Sequence, residues 1–194
     1  MPSEAVNTQT PSRRQRASPS RPEILEDMRA ATRTKYGPPN VLKVRETAEP
    51  TPTANQLLVR VRATTVNRTD VAILTGKPFP MRFFTGLSKP RSPVLGTDFA
   101  GDVVEVGEGV TGIAPGDRVT PCFFQRWSDG ACTPDAMASA LGGALDGVLA
   151  EEAVLRADGV VSVPEHLTFA EAATLPCAAL TAWHAMVEFG RVKP

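Results

Sequence analysis

The stretch PVLGTDFAGDVVEVGEGVTGIAPGDRV, Pro93 to Val119, decides how this chain is read. Gly107, Gly109 and Gly112 inside it spell GxGxxG, the pattern of a dinucleotide-binding turn. Such a turn holds a pyrophosphate only when a strand leads in and a helix starts directly after the glycines, because the free N–H groups of the helix N-terminus do the holding. A strand pattern does lead in. The glycines then run into IAPGDRV, with Pro115 and Gly116 inside the would-be first helical turn, and on into another alternating run. An acidic residue does lie downstream at Asp129, but it falls in QRWSDG rather than at the end of a second strand. These glycines therefore read as turn glycines of a small β-structure.

The flanking sequence has the same texture. MRAATRT, VLKVRET and QLLVRVRATTV alternate apolar and polar residues, with Val59, Val61 and Ala63 on one face and Arg60 and Arg62 on the other. Pro-rich links, YGPPN and AEPTPTANQ, separate them. In NRTDVAILTG the period changes: Asn67 caps a short helix, Asp70 sits three residues on and Gly76 closes it. KPFPMRFFTGLSKPRSP is irregular, with an apolar RFF in a loop. DRVTPCFF, GVLAEEAVLRA and GVVSVP read as strands, and TPDAMASALGG as a short helix from Thr133 to Gly142. A capping box, Thr168 to Glu171, opens a last helix that runs to Gly190, with Pro176 breaking or kinking it.

The 194 residues suffice for one sizeable domain with an appendage. Lys+Arg and Asp+Glu both total 21, so net charge advertises neither nucleic acid nor a membrane surface. Cys122, Cys132 and Cys177 are too few and too scattered for a disulfide framework, which makes a reducing, cytosol-like compartment the plain reading. Residues 1–27 carry Pro, Ser and Arg with almost nothing to bury and are expected to be a disordered extension. Their Arg and Ser content raises a mitochondrial transit peptide as a minor alternative, opposed by the prolines at 11, 19 and 22 and by Glu4.

From Met28 onward the chain resembles the catalytic half of the medium-chain dehydrogenase/reductase superfamily. The resemblance rests on VRATTVNRTD, the Pro93–Val119 stretch and GVLAEEAVLRADGVVSVPEHLTFAEAATLPCAALTAWHAMVEFGRV, in that order and spacing. Its nearest-looking branch is the zinc-independent alcohol dehydrogenase and quinone oxidoreductase-like group. The resemblance implies a mainly β, GroES-like, barrel-like domain with short helices (an α+β fold) over residues 28–167. Residues 168–194 then form a helical segment leading toward a Rossmann domain that lies outside these residues.

Zinc members of the superfamily use a Cys, a His and a later Cys. The corresponding positions here are Asn67, Thr97 and Cys177. Asn and Thr do not compete with thiolate or imidazole for Zn²⁺, so no metal site is expected. Asp98 is considered as a replacement ligand and read instead, like Asp70, as a structural carboxylate. His166 and His184 are read as structural.

The resemblance further implies that Arg68 reaches the cofactor pyrophosphate and Thr181 touches the nicotinamide. Thr69 matches a proton-relaying hydroxyl, and Asn67 is placed to bond the substrate carbonyl or the nicotinamide. For each, helix capping or packing is the competing reading. The implied activity is hydride transfer between NAD(P)H and a small alcohol, carbonyl or quinone. This chain, a partial product or one half of a split enzyme, is expected not to bind the cofactor alone. The implied partner is a separate cofactor domain or a second copy. A stand-alone GroES-like binding module is the alternative.

Overall fold

The computed structural model describes residues 27–127 and 129–193. Residues 1–26, to which the expectation of a disordered extension chiefly refers, lie outside the described residues, and Asp27 opens the first strand.

Two antiparallel sheets form the body. Strand β1 (Asp27–Thr32) pairs with β2 (Lys43–Ala48). The larger sheet contains β3 (Gln56–Thr64), β4 (Phe99–Val106), β5 (Arg118–Pro121), β6 (Glu152–Arg156) and β7 (Val160–Ser162), in the spatial order β6-β3-β4-β5-β7. All neighbours run antiparallel. The core lies under this sheet, where Leu57, Val59, Phe99, Val103, Val119, Val148 and Leu155 interlock. Burying side chains of this size contributes roughly 1.5–3 kcal/mol each.

The alternation read in β3 holds. Arg60 and Arg62 stay on the solvent side, where they pair across the strands with Glu152 at 3.0 Å and Asp102 at 2.6 Å. Leu57, Leu58 and Val59 are nevertheless all buried. Leu57 and Val59 face the main core while Leu58 is buried outside that cluster; alongside them Leu58 opposes Glu105 and Val59 opposes Val103, which leaves Val104 as the extra residue of a bulge in β4.

The GxGxxG segment joins β4 to β5 and passes through a turn straight into the next strand. Gly109 and Gly112 have φ of 81° and 77°, the left-handed region that turns recruit glycine for. At Gly107 a Cβ would lie 1.8 Å from the Thr53 carbonyl oxygen. Close backbone packing and turn geometry account for all three glycines.

The helices are short. α1 (Arg68–Thr75) is capped by Asn67 and closed by left-handed Gly76, as the sequence indicates. α2 (Arg82–Thr85) sits in the Pro-rich loop. α3 (Pro134–Met137) starts on the Thr133 cap but ends well before Gly142, giving way to turns. α4 (Phe169–Ala172) starts on the Thr168–Glu171 box. The expected break at Pro176 takes the form of a π-helical turn, Leu175–Ala179, in which Ala179 N–H bonds Thr174 O at 3.1 Å. Pro176 has no N–H to offer the ladder, and the wider turn lets the chain continue. α5 (Leu180–Trp183) and a second π turn, His184–Phe189, complete the segment.

Candidate functional site

The end of β3 and the start of β4 are neighbours, with Thr64 opposite Phe99. The loops that flank them are therefore held side by side: Thr65 to Asn67, which enters α1, and Gly96 to Asp98, which enters β4. Thr64 Oγ1 fastens the two by donating to Asp98 O at 2.7 Å. The π turn after Pro176 brings Cys177 to the same place, its backbone N–H facing the Asp98 carboxyl without completing a hydrogen bond to Oδ1. The three positions matched to zinc ligands, Asn67, Thr97 and Cys177, thus converge.

Together they build a neutral hydrogen-bond cluster around two buried acids. Asn67 Nδ2 donates to Asp98 Oδ2 at 2.8 Å and to Thr65 Oγ1 at 3.0 Å, with Thr97 Oγ1 at 3.4 Å. The Asn67 backbone N–H donates to Asp70 Oδ2 at 2.8 Å, and Thr97 Oγ1 donates to the same oxygen at 3.3 Å. Asp70 and Asp98 are essentially inaccessible to solvent, and Oδ1 of each has no hydrogen-bond partner.

The electrostatics follow from that burial. Desolvation, reinforced by the neighbouring charge of Asp70, pushes the Asp98 carboxyl up to about 6 despite the bond from Asn67. Asp70 is raised for the same first cause, opposed by the Asn67 N–H and the Thr97 hydroxyl. Burial and then the Asp98 charge raise the Cys177 thiol, against a hydrogen bond from the Thr69 hydroxyl. Cys177 is thereby held as a thiol.

Zinc does not fit this donor set. The amide of Asn67 points its hydrogens inward at Asp98 and the Thr97 hydroxyl donates to Asp70, which leaves Cys177 as a single ligand of the kind zinc prefers. Among the described residues no three His, Cys, Asp or Glu side chains are grouped to hold a metal ion.

Beside the cluster opens a cleft of about 880 Å3. Arg68 and Thr69, the first residues of α1, stand at its wall; Phe84, Phe123, Phe124 and Met137 give it an apolar lining. Arg68 is exposed and Thr69 half-buried against Cys177. Thr181 lies one helical turn past Cys177, exposed and outside the cleft lining. The structure therefore brings Asn67, Arg68 and Thr69 together, with Thr181 apart from them.

The sequence reading missed Thr65 and the aromatic lining. Thr65 carries no motif of its own. The lining comes from three separated segments that no local pattern links.

The antiparallel sheets, the short helices and the apolar cleft at the start of α1 together form a GroES-like domain. The chain belongs to the alcohol dehydrogenase GroES-like domain family, which it matches over residues 53–165, within the medium-chain dehydrogenase/reductases. It is 41% identical over 145 residues to a zinc-type alcohol dehydrogenase-like protein of Schizosaccharomyces pombe, covering 72% of this chain and 39% of that protein. It is 33% identical to the chloroplastic quinone-oxidoreductase homolog of Spinacia oleracea, covering 81% of this chain and 41% of that protein. The solved quinone oxidoreductase of Coxiella burnetii superposes with a TM-score of 0.65 at 31% identity, covering 84% of this chain and 45% of that one. The chain thus spans about two-fifths of the length of these curated relatives.

Proposed function

We propose that this chain supplies the substrate wall of a zinc-independent, NAD(P)-dependent oxidoreductase acting on alcohol, carbonyl or quinone substrates. The observation that carries the reading is the apolar cleft with Thr69 in its wall and the Cys177 thiol beside that hydroxyl. The nicotinamide supplies the hydride when bound.

The chain's own residues orient and exchange protons. The aromatic lining holds the apolar body of the substrate and excludes water. As the developing alkoxide takes the Thr69 hydroxyl proton, Thr69 takes one from the Cys177 thiol, which solvent then restores. Asn67 has its amide hydrogens committed to Asp98 and Thr65, so its part is to hold the loop that carries Thr69 rather than to bind substrate. Arg68, an exposed guanidinium at the cleft wall, is suited to the cofactor pyrophosphate. Thr181 lies on a helical segment whose Leu180, Trp183, Met186 and Phe189 are exposed, a surface fit to receive the wall that holds the cofactor. That wall comes from polypeptide beyond these residues, in the same protein or a second chain.

Reconstitution tests this. Residues 27–193 joined to the cofactor domain of a relative should oxidise NADPH or NADH with a quinone, without added zinc. Arg68→Ala should weaken cofactor binding by about 1.5–3 kcal/mol, the worth of a charge-assisted hydrogen bond, and flatten its salt dependence. Thr69→Val should lower kcat and leave cofactor affinity intact. Turnover that requires zinc, or an unchanged kcat in Thr69→Val, would refute the assignment. Micromolar NADPH binding by the chain alone would place a phosphate site within it.

A further inference from the structure

The apolar loop between α1 and β4 lends Phe84 to the cleft, and its outward surface is unusual. Phe79, Phe83 and Leu87 are 58–59% exposed and Phe84 39%. Lys77, Lys89 and Arg91 are exposed beside them and form no ion pair among the described residues. From Val71 to Thr97 the chain contains no acidic residue.

The platform is braced from beneath. Arg82 lies 4.5 Å over the Tyr36 ring and donates to Gly76 O at 3.2 Å. The Tyr36 hydroxyl donates to Gly86 O at 2.6 Å. At the edge, Ser92 holds the Asp146 carboxylate at 2.7 Å. Phe79 and Phe83 meet edge to face at 6.0 Å, pairing with each other rather than with the core.

We propose that Lys77–Arg91 is a docking surface for an anionic lipid bilayer. Aromatic and aliphatic side chains ringed by cations match the interfacial region of such a bilayer, where rings bury among the acyl boundary and Lys and Arg meet the headgroups. A second copy of the same patch is a poor occupant, since Lys77, Lys89 and Arg91 of each copy would face one another and Asp146 at the edge does not balance them. Lys77 and Phe84 belong both to this surface and to the wall of the cleft. Docking therefore sets the cleft mouth at the lipid boundary, where an apolar substrate could enter without crossing water. The surface stands whether or not the proposed oxidoreductase chemistry does.

Vesicle flotation of the full chain tests it, with phosphatidylcholine alone and with phosphatidylcholine plus phosphatidylserine. The chain should float with the anionic vesicles only, and less as salt rises. Each basic residue near such a surface is worth about fivefold in partitioning, so Lys89→Glu/Arg91→Glu should lower it about tenfold or more. Phe79→Ser/Phe83→Ser/Leu87→Ser should do the same with an unchanged far-UV spectrum. No flotation, equal flotation with both lipids, or flotation that survives both variants would overturn the proposal; the last would move the contact elsewhere, for example to the arginines at 13, 14 and 16. A concentration-dependent dimer abolished by the triple variant would overturn it in favour of self-association.

Discussion

Replacing Asp98 by Asn should make the protein more stable at neutral pH, and the gain should vanish in acid. Asp98 is fully buried, and its carboxyl sits at about 6 in the fold against an ordinary 3.8. Between those values the native state holds a proton that the unfolded chain has released. The contribution to stability is therefore fully present below the unfolded value and is lost as pH rises through about 6. A pKa difference of one between the folded and unfolded states is worth about 1.4 kcal/mol, so the loss reaches about 3 kcal/mol above neutrality. Asp98→Asn keeps an oxygen for Asn67 Nδ2 and Thr65 Oγ1 to donate to but has no charge to desolvate. Its advantage should grow from near zero at about pH 4 to about 3 kcal/mol at about pH 8. For a protein of this size that is about 6–12 °C in Tm. Urea or thermal melts of both proteins across that range are the assay. Carboxylates displaced in the other direction, Glu151 by Arg29 and Asp158 by Arg156, are common to both and cancel in the difference. A difference that is flat with pH, or a variant less stable at pH 8, would refute the reasoning.

Phe99→Ala, at a fully buried ring in the main core, should destabilise by about 3–5 kcal/mol in denaturant melts. Asn67→Ala removes the α1 cap and leaves Asp98 without its closest donor, so a loss of about 1–3 kcal/mol is expected, larger at pH 8 than at pH 5. Gly107→Ala places a methyl against the Thr53 carbonyl and should lower Tm clearly, whereas Gly112→Ala meets open space and should show only the milder strain of its positive φ. A Tm for Gly107→Ala equal to that of Gly112→Ala would argue that the turn, not the close approach, selects glycine there.

Much of the fold is legible in the sequence because its signals are local. The period-two runs, the Asn67 and Thr168 caps and the Pro-Gly after the GxGxxG glycines each speak for their own neighbourhood. The register slips between β3 and β4 are not legible, since a bulge depends on which partner residue is skipped. The sequence overextends α3 because Gly142 resembles its stop, while tertiary turns end it earlier. At the site, the convergence of Asn67, Thr97 and Cys177 is anticipated by the family's ligand order. The inward turn of the Asn67 amide to Asp98 is not, because it depends on a loop contact between distant segments. Charge summed over the whole chain also hides the acid-free stretch from Val71 to Thr97, whose cations are balanced by acids elsewhere.

The inward turn of Asn67 bears on why two carboxylates can persist here at all. Two buried anions without a counter-charge cannot both stay ionised cheaply, since burial alone disfavours each and their proximity adds to it. A dication at the Asn67–Thr97–Cys177 position would stabilise both charges, but neutral side chains stand at the first two positions and a thiol at the third. The alternative is to take up a proton and to spend every nearby donor on the residual charge. Asn67 does so with both its amide and its backbone N–H, and Thr97 and Thr65 with their hydroxyls. The same retained charge keeps Cys177 protonated behind Thr69. Above about pH 6 Asp98 therefore keeps its charge against the cost of desolvation through the donors of Asn67 and Thr65, and that charge in turn raises the Cys177 thiol.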